Sequence, residues 1–349
     1  MVIKYDCVVI GAGQSGLYAA KCLGEKNINY IVLEGQKIGD VWRNRLAVMR
    51  LFTSRQFCGL PGMTFPGDQD GFPAINEMAD YLQEYARHFS IIISENTQVI
   101  NLAHDSNEFI VSTSNGESIR SRSVINATGA NQKCIVPMIA NGLSPDVDQL
   151  TADAQSLDKI TQQKVAIIGD GASGRQIAAL LRKQDNEVTL ATGRKRGLPP
   201  NRVLGRDIFW WLKKIGVLFA DKNSKVAKIL QKRNPVPCGE QNNQRLKDLG
   251  VNIVGRAISC NDQQIRFNCG HQGSYNTVIW SVGYYDEVSW MHINNCVNNG
   301  EFVQEYGLTP QAGLFTIGRK WLSCRASELI MGVERDVDRT MVHLNNYLR

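Results

Sequence analysis

The stretch from Asp6 to Glu34 limits what this chain can fold into more than any other. It reads Asp6-Cys7-Val8-Val9-Ile10, then Gly11-Ala12-Gly13-Gln14-Ser15-Gly16, then a run containing Ala19, Ala20 and Leu23, then Tyr30-Ile31-Val32-Leu33-Glu34. The first run is apolar and β-branched, as a buried parallel strand is. The glycines follow at once, helix-forming residues come next, and a second apolar strand ends in an acid. Together these make a βαβ unit with a dinucleotide fingerprint. Gly11 lets the chain turn out of the strand, Gly13 lets a pyrophosphate approach the backbone, and Gly16 lets the helix lie close to the sheet. The first helical turn, with Gln14 and Ser15, offers free N–H groups and a partial positive charge to phosphates. Glu34 stands 18 residues after Gly16. A carboxylate there accepts hydrogen bonds from ribose hydroxyls and repels a 2′-phosphate, so the unit suits FAD or NAD rather than NADP.

A second unit follows the same plan. Lys164–Ile168 reads as a strand, Gly169-Asp170-Gly171-Ala172-Ser173-Gly174 as the glycine cluster, Arg175–Lys183 as the helix and Glu187–Ala191 as the second strand. Its end differs. The chain runs Thr192-Gly193-Arg194-Lys195-Arg196, with no acid. Arg194 and Arg196 can pair with a 2′-phosphate, which suits NADPH; NADH is also compatible, and a solvated basic turn is the plain alternative. With the cations on the second unit, the first is assigned to FAD. Each unit has a later strand ending in a small-residue turn. One is Ala127-Thr128-Gly129 and the other Ser281-Val282-Gly283-Tyr284. Thr128 and Gly129 are expected beside the first cofactor, Ser281 and Gly283 beside the second.

Between these landmarks, Gly39-Asp40-Val41-Trp42-Arg43-Asn44-Arg45 reads as a turn passing along the first cofactor, with Arg43 or Arg45 near its phosphates, or else as a surface loop with one core Trp. Residues 49–65 are aromatic and Pro-interrupted, more like a loop over a pocket than a regular element. Residues 76–89 are helical in pattern. Ile91–Ser94, Gln98–Leu102 (with Val99 at the first cofactor), Phe109–Thr113 and Ser118–Asn126 read as a small antiparallel β-meander with a turn at Asn115-Gly116. Residues 131–160 read as a linker. Residues 199–233 are aromatic, amphipathic and basic, open to three readings: core or interdomain packing, a wall of the substrate channel, or a membrane-surface helix. Residues 241–280 read as short strands, Gly313–Ile317 as a strand ending at Gly318, and Ser327–Leu348 as one long helix. The fold class is α/β, with two Rossmann-like dinucleotide-binding domains and the small meander. The expected division is 1–155 plus 286–349 for FAD, with 156–285 inserted for NADPH.

The net charge of +6 is mild and does not indicate nucleic acid. Nine scattered cysteines without a Cys-x-x-Cys argue for reduced thiols and against a redox disulfide or structural zinc, and the five histidines show no metal-ligand spacing. The first strand begins by Ile3, leaving no room for a signal peptide, and no apolar run nears the ~18 residues of a membrane span. A cytoplasmic location is expected.

The sequence resembles the two-dinucleotide-binding-domain flavoproteins and, within them, the flavin-containing monooxygenases. The resemblance covers nearly the whole chain. It is carried by Gly11 to Gly16, Glu34, Gly39 to Arg43, Phe57 to Phe65, Asn126 to Gly129, Gly169 to Gly174, Thr192 to Arg196, Ser281 to Tyr284, and Gly318 to Gly332 with Trp321 and Arg325. It implies hydride transfer from NADPH to bound FAD, reaction with O2 to a C4a-hydroperoxide, and oxygenation of a small sulfide, amine or ketone. Phe52, Thr53 and Ser54 would form the flavin-facing pocket. It also implies a homodimer, with Trp210-Trp211 as a candidate contact. Two departures stand out. No histidine occurs between Ile135 and Lys164, where the family carries Phe-x-Gly-x-x-x-His, and Phe52-Thr53-Ser54 stand where members place an Asn. These departures keep open an NAD(P)H-dependent reductase or oxidase without oxygen insertion, and, more remotely, a redox-responsive binding subunit.

Overall fold

The chain's architecture follows from the two strands that precede its glycine clusters. The computed structural model describes residues 3–46 and 49–349. Ile3–Ile10 lies between Tyr30–Leu33 and Ser118–Asn126, parallel to both, with Val8 and Val9 fully buried. Such burial on both faces is why these strands read as continuous apolar runs. Ile93–Ser94 adds beside Tyr30–Leu33, also parallel. On its other edge Ser118–Asn126 serves two further partners. Its first half pairs antiparallel with Glu108–Thr113, which pairs with Val99–Asp105; its second half pairs parallel with Leu314–Thr316. The result is one seven-stranded sheet. The expected meander therefore exists but is continuous with the nucleotide-binding sheet, and Ile91–Ser94 does not belong to it.

The second sheet is fully parallel, in the order Asn252–Val254, Glu187–Ala191, Lys164–Ile168, Thr277–Trp280, Asp148–Thr151. The last of these lies inside the stretch expected to be a linker. Asp148–Thr151 is an edge strand with two exposed and two half-buried residues, so it lacks the apolar run by which a central strand is recognised. The chain passes between the halves at Lys133–Cys134 and again at Tyr284–Tyr285, and these two passages pair antiparallel.

Two local expectations are corrected, and a third, left open, is decided. Asn243–Asp248 is a helix, capped by the Asn242 side chain, which accepts from Arg245 N at 2.9 Å. The C-terminal helix spans Val333–Leu348 and is preceded by 3-10 turns at Arg325–Glu328 and Ile330–Gly332. The break falls where Gly332 folds back so closely that a Cβ would stand 2.0 Å from Ala326 O. Residues 199–233 form a small hairpin (Arg202–Val203 with Arg206–Asp207) and two helices, Ile208–Lys214 and Lys225–Arg233. Phe209 is buried in a separate cluster with Phe57, Leu218, Cys324 and Leu329. Of the three readings, packing between the halves is the one observed. Among the described residues no helix is long and apolar enough to cross a membrane.

Candidate cofactor site

Gly11 has φ +103°, a conformation that favours glycine, and a Cβ there would stand 2.8 Å from Ala127 O. A Cβ on Gly16 would stand 1.9 Å from Gly11 O, so this glycine is needed for helix-to-loop packing and does not line the cavity. Gly13 has no atom within 4 Å of its Cβ position; it faces open space. No side chain caps the helix Gln14–Glu25, which leaves its first-turn N–H groups free for an anion.

A cavity of about 450 Å³ opens in front of this loop. Gly11, Gly13, Gln14, Ser15 and Glu34 line it. So do Gly39, Val41, Trp42, Val99, Thr128, Gly129 and Gly318. Glu34 accepts from Ala12 N at 2.7 Å and Gln36 N at 3.1 Å, and burial, partly offset by these bonds, pushes its carboxyl above its ordinary value. Gly318 has φ +71°, and a Cβ on it would meet Ser15 Oγ at 2.9 Å, so the C-terminal strand closes directly on the helix N-terminus.

Arg43 is placed differently from its expectation. Its guanidinium donates to Asp80 at 2.7 Å and Gln83 at 2.9 Å, on the neighbouring helix, and does not line the cavity. Arg45 lines it instead, with its guanidinium 5.1 Å from the Trp42 ring centroid. Phe52 and Thr53 line the cavity, whereas Ser54 is buried behind it.

Several residues at this site carried no sequence signal. Gln132 donates to Thr128 Oγ1 at 2.7 Å and Gly129 O at 2.8 Å, and accepts from Glu287 N at 2.7 Å. Arg319 donates to Gly129 O at 2.5 Å and pairs with the buried Asp286. This pair braces the Thr128-Gly129 turn from the C-terminal segment. Arg319 and Asp286 each stand one or two residues from a recognised turn residue (Gly318 and Tyr284), and that proximity is the one cue available.

The second glycine loop repeats the first. Gly169 has φ +112°, Gly171 faces open space, and a Cβ on Gly174 would stand 2.1 Å from Gly169 O. Ser281 backs this loop as Ala127 backs the first, its carbonyl oxygen 2.2 Å from a Gly169 Cβ position. Gly283 has φ +114°. No side chain caps Ala172–Lys183. Thr192 is turned to the neighbouring strand, its Oγ1 donating to Val254 O at 2.9 Å. Arg194 is exposed and Arg196 half-buried. Of the residues expected around the nicotinamide dinucleotide, Ala172 and Ser173 line the cavity in front of the first loop; the glycines 169, 171 and 174, Thr192, Arg194, Arg196, Ser281 and Gly283 do not. One helix turn of the second unit therefore faces the same space as the first unit.

Both loops fit a dinucleotide: a glycine that opens space where a Cβ would intrude, beside uncapped helical N–H groups. Residues 8–253 match the family described as pyridine nucleotide-disulphide oxidoreductase. The chain belongs to that family. It is 36% identical over 345 residues to an uncharacterized oxidoreductase CzcO-like of Geobacillus kaustophilus, covering 98% of this chain and 99% of that protein. It is 27% identical over 364 residues to the probable indole-3-pyruvate monooxygenase YUCCA8 of Arabidopsis thaliana, covering 90% and 85%. The flavin-containing monooxygenase from Stenotrophomonas maltophilia has the same fold, with TM-score 0.79, 22% identity and 100% of both chains covered. The resemblance to flavin monooxygenases seen in the sequence thus extends to the fold. The protein is an oxidoreductase of the pyridine-nucleotide class. All nine cysteines are free, and none lines the cavity.

Proposed function

We propose that FAD lies on the first unit and NADPH on the second, and that the enzyme is an NADPH-dependent monooxygenase of small sulfides, amines or ketones. The observation that carries this is the shared cavity: Ala172 and Ser173, at the N-terminus of the second helix, line the space that Gly11 to Ser15 open. A nicotinamide held at that helix reaches a flavin held by the first. Bound FAD supplies hydride acceptance and O2 activation. The protein's residues bind, orient and dry the site. Gly13 and the N–H groups of the first helical turn hold the pyrophosphate. Glu34 orients the ribose. Phe52, Leu329 and Ile330 line the cavity with apolar surface that excludes water. Glu328 and Glu287 also line it but are paired with Arg325 and Lys133, and Glu34 is taken by the ribose, which leaves no unpaired carboxylate among the lining residues to select a cationic substrate. Weakly polar, soft nucleophiles fit this wall best. Arg194, exposed at the second strand tip, binds the 2′-phosphate.

The same reading divides the chain at its two paired passages, with 1–134 and 285–349 holding FAD and 135–284 holding NADPH. It takes the protein as a cytoplasmic homodimer, to be checked by sedimentation and fractionation.

A reductase or oxidase of the same architecture is the second reading. What favours it is Thr53: its hydroxyl contacts Cys58 Sγ at 3.3 Å, inside the protein, where related enzymes place an Asn. One experiment separates the two. The yellow holoprotein is given NADPH, methyl phenyl sulfide and ¹⁸O2, and the products are analysed by mass spectrometry. Sulfoxide carrying one ¹⁸O atom, formed in step with NADPH oxidation, is expected. NADPH consumption yielding only H2O2 with sulfide, amine and ketone probes alike overturns the monooxygenase reading.

A further inference from the structure

The loop Arg50–Ser54 brings Phe52 and Thr53 to the edge of the cavity. It belongs to the first half, yet the second half grips both its ends. At one end the Gln176 side-chain amide pairs with the Arg50 backbone: Arg50 N donates to Gln176 Oε1 at 3.2 Å, and Gln176 Nε2 donates to Arg50 O at 3.3 Å. Gln176 stands one turn beyond Ala172 and Ser173 on the helix of the second glycine unit and lines the same cavity. At the other end Ser54 N donates to Asp207 Oδ2 at 2.7 Å. Asp207 is buried, and its second oxygen accepts from Phe209 N at 2.8 Å, capping the helix Ile208–Lys214. Between the two grips the Phe52 and Phe209 rings stack with centroids 5.8 Å apart.

We propose that Gln176 and Asp207 are positioning residues that hold the flavin-facing loop Arg50–Ser54 from the nicotinamide-binding half. The loop then takes its working place only when that half is docked. This rests on the cofactor reading above. A buried carboxylate costs free energy unless its oxygens are hydrogen-bonded. Asp207 meets that need with one N–H from each half, so separating the halves leaves one oxygen without its partner. Binding of NADP⁺ at Ala172 and Ser173 acts on the helix that carries Gln176, so the flavin site senses the second cofactor through a single helical turn.

Cys58 provides a readout that needs neither turnover nor flavin. It is fully buried under the loop, with its Sγ donating to Ser54 O at 3.3 Å and Thr53 O at 3.5 Å, and burial pushes its thiol up to about 12. Alkylation by iodoacetamide is followed by peptide mapping, with Cys7, fully buried in the first strand, as the marker of global unfolding. Asp207→Ser keeps a helix-capping hydroxyl but is too short to reach Ser54. It is expected to raise Cys58 labelling at least tenfold with Cys7 still protected. Gln176→Ala is expected to raise it about threefold. Millimolar NADP⁺ slows Cys58 labelling in the wild type and loses that effect in Gln176→Ala. In turnover both variants lower kcat and raise H2O2 formed per NADPH, with KM for NADPH changed less than twofold. A purely structural role would not produce that split. Wild-type labelling of Cys58 in both variants overturns the proposal. If Asp207→Ser also exposes Cys7, the isosteric Asp207→Asn decides: faster labelling at Cys58 alone supports the clamp, and an unchanged rate overturns it. A colourless wild-type protein that cannot be reconstituted with FAD would remove the cofactor reading while leaving the labelling result intact.

Discussion

The two glycine units share a backbone and differ in where they keep their acid. Their first glycines have φ +103° and +112°, their second glycines face open space, and a Cβ on either third glycine would stand 1.9 or 2.1 Å from the first glycine's carbonyl oxygen. Each loop is tied to its second strand by one hydrogen bond to a carboxylate, with opposite polarity. In the first unit the loop donates and the strand tip accepts: Ala12 N to Glu34 Oε2 at 2.7 Å. In the second the strand tip donates and the loop accepts: Gly193 N to Asp170 Oδ1 at 3.3 Å. Asp170 is buried and faces Arg175, itself fully buried and bonded to Gln241 O and Asn243 Oδ1. The bridge is therefore kept while the tip is cleared of its acid. That leaves exposed Arg194 free to meet a phosphate where Glu34 would repel one.

The largest effect expected from this comparison is at the third glycines. Gly16→Ala drives a methyl into the Gly11 carbonyl and should cost about 3 kcal/mol or more, seen as a lowered Tm and lost flavin. Gly13→Ala adds a Cβ that meets no protein atom, so the apoprotein Tm should hold while FAD affinity falls at least ~100-fold, about 2.7 kcal/mol. Equal destabilisation by the two would break the division between a packing glycine and a ligand glycine. Next comes the strand tip. Arg194→Ala should weaken NADPH by about tenfold or more, the worth of a charge-assisted hydrogen bond, and NADH by less than twofold; equal losses would return Arg194 to the status of a solvated turn.

The acid of the first unit carries a pH signature. Burial raises the Glu34 carboxyl above its ordinary value. The folded apoprotein then binds that proton more tightly than the unfolded chain does, so the stability term from Glu34 improves as pH falls through the raised value. Ribose binding runs the other way, because it uses the ionised acceptor. FAD affinity should be full above the raised value and fall with pH through it, beginning above the usual carboxylate range. Titration of FAD into Glu34→Gln should be flat over that window; an unchanged pH profile would place the ribose elsewhere. The smallest effect belongs to Arg43→Ala. Its partner Asp80 is exposed, so the pair is worth about 0.5 kcal/mol, and flavin retention should be unchanged. Arg45→Ala, which removes a cavity residue, should lower it.

The glycine spacings, the apolar strands beside them and the acid at Glu34 were legible because each is a constraint on consecutive backbone: a turn with positive φ, a close approach, a strand buried on both faces. Asp148–Thr151 escaped because a half-exposed edge strand carries no such pattern. Arg43 misled because composition places a guanidinium near a loop but not its direction, and Asp80 on the adjoining helix claimed it.

The sequence by itself determined that the protein has two dinucleotide units and which one carries the acid, since those facts are written in short runs of neighbouring residues. Only the tertiary structure decided that Ala172 and Ser173 open onto the first unit's cavity, that Arg319 braces the Gly129 turn, and that Asp207 reaches Ser54. Those partners lie 190 and 153 positions apart in the chain. Such pairings are selected by the packing of whole sheets and leave no periodicity in the residues that make them.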